Sequence, residues 1–234
     1  MNILITGANR GIGLELARIA SARKHTVIAT ARKPDEAREL ATITPHVLAL
    51  DVSDEAAIAA LGTTLADAKR FPMLKDAGLD VLINNAGVSS TAKQLAELTS
   101  AELTRVFMVN TFAPLLVTKA CMDLLRRGKH KLVLHITSQL GSIANNTGGS
   151  SYPYRASKAA LNQLNRSLAA ELGAGAGGFT CIAAHPGWVQ TDMGGPNAPL
   201  TPAQSAEHLL RIAEESDVSR NGAFLNYDGA KLPW

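Results

Sequence analysis

Cysteine is nearly absent from this chain, and what there is does not pair. Cys121 and Cys181 are its two thiols, far apart and in no metal or disulfide spacing, which suits a reducing compartment, and a cytoplasmic location is expected. The six histidines form no paired ligand spacing, so no metal site is expected; His135 and His185, in or beside strand-like runs, read as satisfied core groups. Neither sign of charge dominates, since 23 basic against 20 acidic residues leave a net +3 and little long-range field. The basic run Arg126-Arg127-Gly128-Lys129-His130-Lys131 reads as cations at a helix C-terminus, where they complement the dipole, and neither nucleic-acid nor membrane contact is expected of it. Apolar runs are short as well; none reaches the roughly 18 residues of a membrane span. The first strand-like run begins at the N-terminus, so no targeting segment is expected. Without a secretory signal the sequon Asn145-Asn146-Thr147 reads as a polar loop.

What the sequence does contain is alternation. Strand-like runs fall at Met1–Thr6, Thr26–Thr30, Val47–Asp51, Val81–Asn84, Leu132–Thr137, Phe179–Ala184 and Ala223–Asn226. Between them lie helical patterns at Gly11–Lys24, Asp35–Thr42, Asp54–Phe71, Ser100–Arg127, Tyr154–Leu172 and Pro202–Glu215. Near-continuous apolar strands alternating with helices imply an α/β protein with a parallel sheet covered on both faces. Hydrophobic content of 46% and charged content of 18% suit one globular domain over residues 1–234, without repeats. Glycine-rich Gly173–Gly178 looks linker-like but only joins a helix to a strand. In such sheets ligands bind beyond the carboxyl ends of the strands, and Asp51, Asn84, Ser138 and Pro186 all fall on that rim.

Two local patterns carry chemistry. Tyr154 and Lys158 stand four apart at the start of a helix, so they share a face. A free phenol has a pKa of about 10, and a neighbouring positive charge favours its phenolate; alone, such a pair also describes an ordinary solvated face. At the other end, Thr6-Gly7-Ala8-Asn9-Arg10-Gly11-Ile12-Gly13 joins a buried-strand candidate to a helix. That context turns a glycine run into a phosphate site, because backbone can come close and the helix N-terminus supplies N–H groups; a plain turn is the alternative.

Together these pieces resemble the short-chain dehydrogenase/reductase family. Its T-G-x-x-x-G-x-G matches Thr6 to Gly13, its N-N-A-G matches Asn84-Asn85-Ala86-Gly87, its helical asparagine matches Asn110, and its serine matches Ser138. Its Y-x-x-x-K matches Tyr154 and Lys158, and its proline-glycine matches Pro186-Gly187. The ending Asn226 to Trp234 resembles the C-factor and sniffer-type carbonyl reductases within it. The resemblance implies a single Rossmann-type doubly wound domain of seven parallel strands in the order 3-2-1-4-5-6-7, helices on both faces. It implies hydride transfer between a nicotinamide cofactor and a small-molecule carbonyl substrate, with Asn110, Ser138, Tyr154 and Lys158 catalytic. Tyr154 would be the general acid, Ser138 a donor to the same oxygen, and Lys158 would lower the Tyr154 pKa and hold the nicotinamide ribose. Cofactor contacts are expected from Gly7, Asn9, Arg10, Gly11, Ile12 and Gly13, from Asp51 and Val52 at the adenine, and from Asn84, Ala86 and Gly87 at its ribose. Pro186, Gly187, Val189 and Thr191 would meet the nicotinamide.

Four further expectations follow. No acid ends the second strand, and Arg32 with Arg10 would clamp a 2′-phosphate, favouring NADP(H) over NAD(H); the alternative is two surface arginines. Pro114 has no N–H to bond the carbonyl four residues back, leaving the Asn110 carbonyl free to hold a water. Leu140, Tyr152, Trp188 and Met193 are assigned to the pocket wall, under a short lid from Asp192 to Thr201. The helices Ser100–Arg127 and Tyr154–Leu172 would pair across a two-fold axis in a homodimer or homotetramer, with the tail Leu232-Pro233-Trp234 packing near its own site or a neighbour's. The competing function is a nucleotide-binding signalling or regulatory protein with little or no turnover.

Overall fold

The computed structural model describes residues 1–173 and 178–234. Seven strands, β1 (Asn2–Ile5), β2 (Thr26–Ala31), β3 (Val47–Ala49), β4 (Val81–Asn84), β5 (Leu132–Ile136), β6 (Thr180–His185) and β7 (Ala223–Asn226), form one sheet. Their order is β3-β2-β1-β4-β5-β6-β7, with every neighbouring pair parallel. This is the doubly wound arrangement expected.

Successive strand residues point to opposite faces, and here both faces are dry. Ile3, Ile5, Val81, Ile83, Leu132 and Leu134 meet α1 (Gly11–Ala22) and, later in the chain, the helix Pro202–Glu215 on one side. Leu4, Leu82, Val133 and Cys181 meet residues of the intervening helices on the other. Burial pushes both thiols, Cys121 and Cys181, up to about 12, so they behave as small apolar side chains.

The helices depart from expectation where proline or a buried aromatic intervenes. After α2 (Arg38–Ile43) and α3 (Glu55–Leu65, capped by the Asp54 carboxylate), Phe71 plugs the core and Pro72 opens a separate α4 (Pro72–Ala77). The long helix expected over Ser100–Arg127 is broken. It runs as α5 (Ser100–Phe107), a π turn at Met108–Phe112, α6 (Ala113–Ala120) and α7 (Met122–Arg127). Pro114, which can neither donate an N–H nor tolerate a carbonyl under its ring, sits just after the π turn that widens the helix. The segment expected as Asp35–Thr42 likewise splits into a 3-10 turn, Pro34–Glu36, and α2. α8 (Tyr152–Leu172) starts one turn-half earlier than expected, with Pro153 in its first turn, and α9 is Pro202–Glu215. Of the linker-like Gly173–Gly178, residues 174–177 lie outside the described residues. Among the described residues no helix is long and apolar enough to cross a membrane.

The chain leaves β1 towards β2 and returns to β1's other side as β4. That switch point opens a crevice at the carboxyl ends of the two strands, and the candidate site lies there.

Candidate active site

Three strand ends build the glycine turn. Thr6, at the end of β1, accepts through its Oγ1 from the amides of Asn85 (3.0 Å) and Ala86 (3.1 Å). Asn85 Nδ2 in return donates to the carbonyls of Thr6 (2.9 Å) and Gly7 (3.0 Å). From β2, Thr30 accepts from Gly7 through its hydroxyl (3.3 Å) and from Ala8 through its carbonyl (2.9 Å). A Cβ on Gly13 would lie 2.5 Å from both the Gly7 carbonyl and Asn85 Nδ2, so only glycine fits. Arg10 enters α1 in extended conformation, and no side chain caps the helix's first turn. Unclaimed amides at a helix N-terminus with no side chain in front of them suit a pyrophosphate.

Asn85 is the brace that sequence reading passed over in favour of Asn84. Neighbouring residues of a strand face opposite ways, so only one of the two can turn towards the crevice. Asn84 turns away: it is buried and donates to Thr118 Oγ1 (3.2 Å) and the Pro114 carbonyl (3.3 Å), beside His135 Nδ1 at 3.2 Å. The Asn84 side chain therefore ties β4, β5 and α6 together.

At the far end of the crevice, Arg32 follows β2 directly and is exposed, in none of the ion pairs among the described residues. Asp51 lies two residues beyond β3; its carboxylate accepts from the Ser53 hydroxyl (2.7 Å) and amide (2.9 Å). Those bonds, and then Arg32, hold its pKa below the usual range. Val52 packs against the second core. Arg10, the other arginine of the expected clamp, is exposed as well. It pairs with Asp192 across the crevice, because the loop after β6 comes down on the glycine turn, where a Cβ on Gly11 would sit 3.3 Å from Thr191 Cγ2.

The catalytic candidates converge. Asn110, fully buried in the π turn, grips the segment after β4 at both backbone atoms of Val88, accepting its amide at 2.8 Å and donating to its carbonyl at 2.9 Å. Its Nδ2 also reaches Ser157 Oγ in α8 (3.2 Å). Lys158 is buried, donates from Nζ to the Ile136 carbonyl (2.9 Å) and lies 5.9 Å from the centre of the Tyr154 ring, as the helical spacing requires. Desolvation pushes the Lys158 pKa down to about 8. The expected lowering of Tyr154 by Lys158 is not what the protein alone produces. Desolvation holds the phenol above its usual range, and only the Ser138 hydroxyl pulls the other way. Ser138 Oγ accepts from the Leu140 amide (3.1 Å), which leaves its own proton free to donate.

A cavity of about 390 Å³ opens between these groups and the loop after β6. Ser138, Tyr154, Leu140, Trp188 and Met193 line it, as do Ile12, Pro186, Gly187, Val189 and Thr191. Tyr152 does not; it stands 43% exposed at the first position of α8, half a turn round the helix from Tyr154. Gly187 holds φ +85°, and a Cβ there would run into Leu200 and Tyr227. The lid is compact and self-bonded: Trp188 Nε1 donates to the Gly194 carbonyl (2.7 Å), Gln190 Nε2 to that of Ala198 (2.8 Å), and Gly194 and Gly195 donate to that of Thr191. Sequence reading missed Ser89, Ser90, Lys93, Gln139, Ser151 and His185 on the wall, since only the tertiary fold brings the segments after β4 and β5 together. The two core histidines are not satisfied as expected: His135 Nε2 and His185 Nδ1 are buried without partners, and desolvation lowers them to about 3 and about 4, keeping both neutral.

Known proteins share this arrangement. The sequence model of the short chain dehydrogenases matches residues 1–199. C-signal of Myxococcus xanthus is 45% identical over 156 residues, covering 67% of this chain and 93% of that protein. The carbonyl reductase Sniffer of D. melanogaster has a TM-score of 0.90 at 35% identity, covering 100% of this chain and 99% of its own. An NADPH-bound carbonyl reductase from chicken fatty liver has a TM-score of 0.88 at 34% identity, covering 100% and 98%. Because the match runs from the glycine turn through Ser138 and Tyr154 to the loop after β6, this chain belongs to the short chain dehydrogenase family.

Proposed function

We propose that the protein is an NADPH-dependent oxidoreductase that reduces a ketone, aldehyde or quinone. One observation carries this reading: Tyr154 and Ser138 line the same cavity as Ile12 of the glycine turn and as Val189 and Thr191. A cofactor laid along the crevice thus ends beside two hydroxyls. Gly7, Asn9, Gly11, Ile12 and Gly13 would hold its pyrophosphate, Asp51 and Val52 its adenine, Ala86 and Gly87 the adjoining ribose. Val189 and Thr191, after Pro186-Gly187, would hold the nicotinamide. Arg32, free at the end of β2, suits a 2′-phosphate, and the chicken carbonyl reductase of similar fold is NADPH-bound. When bound, the cofactor supplies the hydride and both electrons.

The protein's part is to polarise and protonate. Ser138 donates a hydrogen bond to the substrate oxygen, where negative charge develops. Tyr154 delivers the proton; a phenol held above its usual range keeps that proton at neutral pH, the form a reductase needs. Lys158, with Nζ spare donors beyond its bond to Ile136, would hold the nicotinamide ribose and stabilise the tyrosinate left behind. Reprotonation would pass from a water on the Asn110 carbonyl, which Pro114 cannot bond.

Tyr154→Phe tests the reading. Turnover should fall by about 10²–10⁴-fold while NADPH binding, followed by fluorescence titration, stays near wild type. Near-normal turnover would refute the assignment. The C-signal relative favours a second reading, a nucleotide-binding signalling protein with little turnover. NADPH oxidation with a panel of quinones and aldehydes separates them: intact NADPH binding with no oxidation selects the second.

A further inference from the structure

We propose that the substrate carries a carboxylate as well as the carbonyl, and that Lys93 binds it. This rests on the reductase reading and adds the substrate's chemical class. Lys93 is the one lysine or arginine on the cavity wall, and no carboxylate lines that wall among the described residues.

The lysine's backbone is fixed while its ammonium makes no ion pair among the described residues. Its amide donates to Glu97 Oε2 (2.6 Å) and its carbonyl accepts from the Ser151 amide (2.8 Å). None of the ion pairs among the described residues uses its Nζ. Glu102 is committed to Arg105, Ser90 and Thr91, while Glu97 accepts from the Gln94 and Lys93 amides and the Lys93 charge acts on it more weakly than those bonds.

A second feature reinforces the same end of the cavity. Ser151, bonded to Lys93 and itself on the wall, is the residue before α8, and no side chain caps that 21-residue helix. Its N-terminal amides add positive potential at the same end of the cavity. Tyr154 lies in the first turn of the same helix. An anion at Lys93, which is tied by its carbonyl to the residue before α8, and a carbonyl at Tyr154 in the first turn of α8 would therefore share one cavity, with Leu140, Trp188 and Met193 on its apolar wall. A single ammonium matches a singly charged acid.

The test pairs a series of ω-formyl carboxylates of increasing chain length with their methyl esters, at saturating NADPH. Wild type should favour the best acid over its ester by about tenfold or more in kcat/KM, mainly through KM, the size of one charge-assisted hydrogen bond. Lys93→Gln should bring that ratio to about one by raising KM for the acid, and Lys93→Arg should keep the preference. Equal use of acid and ester by wild type, or a preference that survives Lys93→Gln, overturns the proposal while the reductase reading stands. Binding is read separately through Trp188 fluorescence with NADP⁺ present. If no aldehyde turns over, the reductase reading fails, yet tighter binding of the acid than the ester, lost in Lys93→Gln, still supports the acid site.

Discussion

Arg32 shows how much one exposed side chain can decide. It follows β2 with nothing holding its guanidinium in an ion pair among the described residues, whereas Arg10 is drawn away to Asp192. Cofactor choice is therefore expected to rest on Arg32. A phosphate–arginine contact is worth on the order of 1.5–3 kcal/mol, so NADPH should bind about tenfold to a hundredfold better than NADH. Arg32→Asp should invert the preference, because the new carboxylate repels the 2′-phosphate and accepts from a 2′-hydroxyl. The comparison is kcat/KM for both cofactors in wild type and variant; equal use of NADH by wild type would make Arg32 an ordinary surface residue. Asp192→Ala should leave that preference in place, since it frees Arg10 without touching the end of β2.

At the scale of elements, the glycine turn is only as rigid as the strand beside it. Thr6 Oγ1 accepts two amides from the segment following β4, and Asn85 returns two hydrogen bonds. Thr6→Val keeps the side chain's shape and removes the acceptor, leaving the half-buried Ala86 amide unpaired while the Asn85 amide keeps the Ile83 carbonyl at 3.0 Å. A loss of about 1–3 kcal/mol in unfolding free energy is expected, together with weaker NADPH binding, measured by urea unfolding and fluorescence titration. A stability within experimental error of wild type would mean that water takes over the Ala86 amide. The broken helix α5–α6 is the other element with a purpose. Its π turn carries Asn110 inward to both Val88 and Ser157, joining the segment after β4 to α8.

Over the whole molecule, one edge of the sheet is closed and one helix face is not. The residues after β7 turn back along it: Lys231 bridges Leu225, Leu232 donates to the Phe224 carbonyl (2.9 Å), and Trp234 stacks on Phe224 with ring centres 5.3 Å apart. The Trp234 carbonyl then accepts from Ala144 (2.9 Å), in the loop that follows Ser138, so the tail packs within its own subunit. Covering an edge strand in this way removes a template for unwanted pairing. By contrast Phe112, at the α5–α6 junction, is 48% exposed, and Ala156 of α8 is exposed as well. Pairing of these helices across a two-fold axis should give a dimer or tetramer in light scattering at micromolar concentration; a monomer of 24.6 kDa would refute it.

The strand order came from the family resemblance; the sequence by itself determined the strand count, the parallel sheet, the glycine turn and the Tyr154–Lys158 face. Each of these follows from local periodicity: apolar runs too short for helices, glycines at a strand-to-helix junction, and a spacing of four on one helix. The tertiary structure decided what depends on distance in space. It chose Asn85 over Asn84 as the brace, because strand pleating allows only one of them to face the crevice. It gave Arg10 to Asp192, 182 residues away, and set Tyr152 outside the cavity that Tyr154 lines. It also reversed the expected Tyr154 shift, since the cost of burying a charge depends on how completely the surroundings exclude water, and no sequence spacing encodes that. Lys93 joins the cavity wall for the same reason: only the docking of the segment after β4 against the start of α8 brings it there.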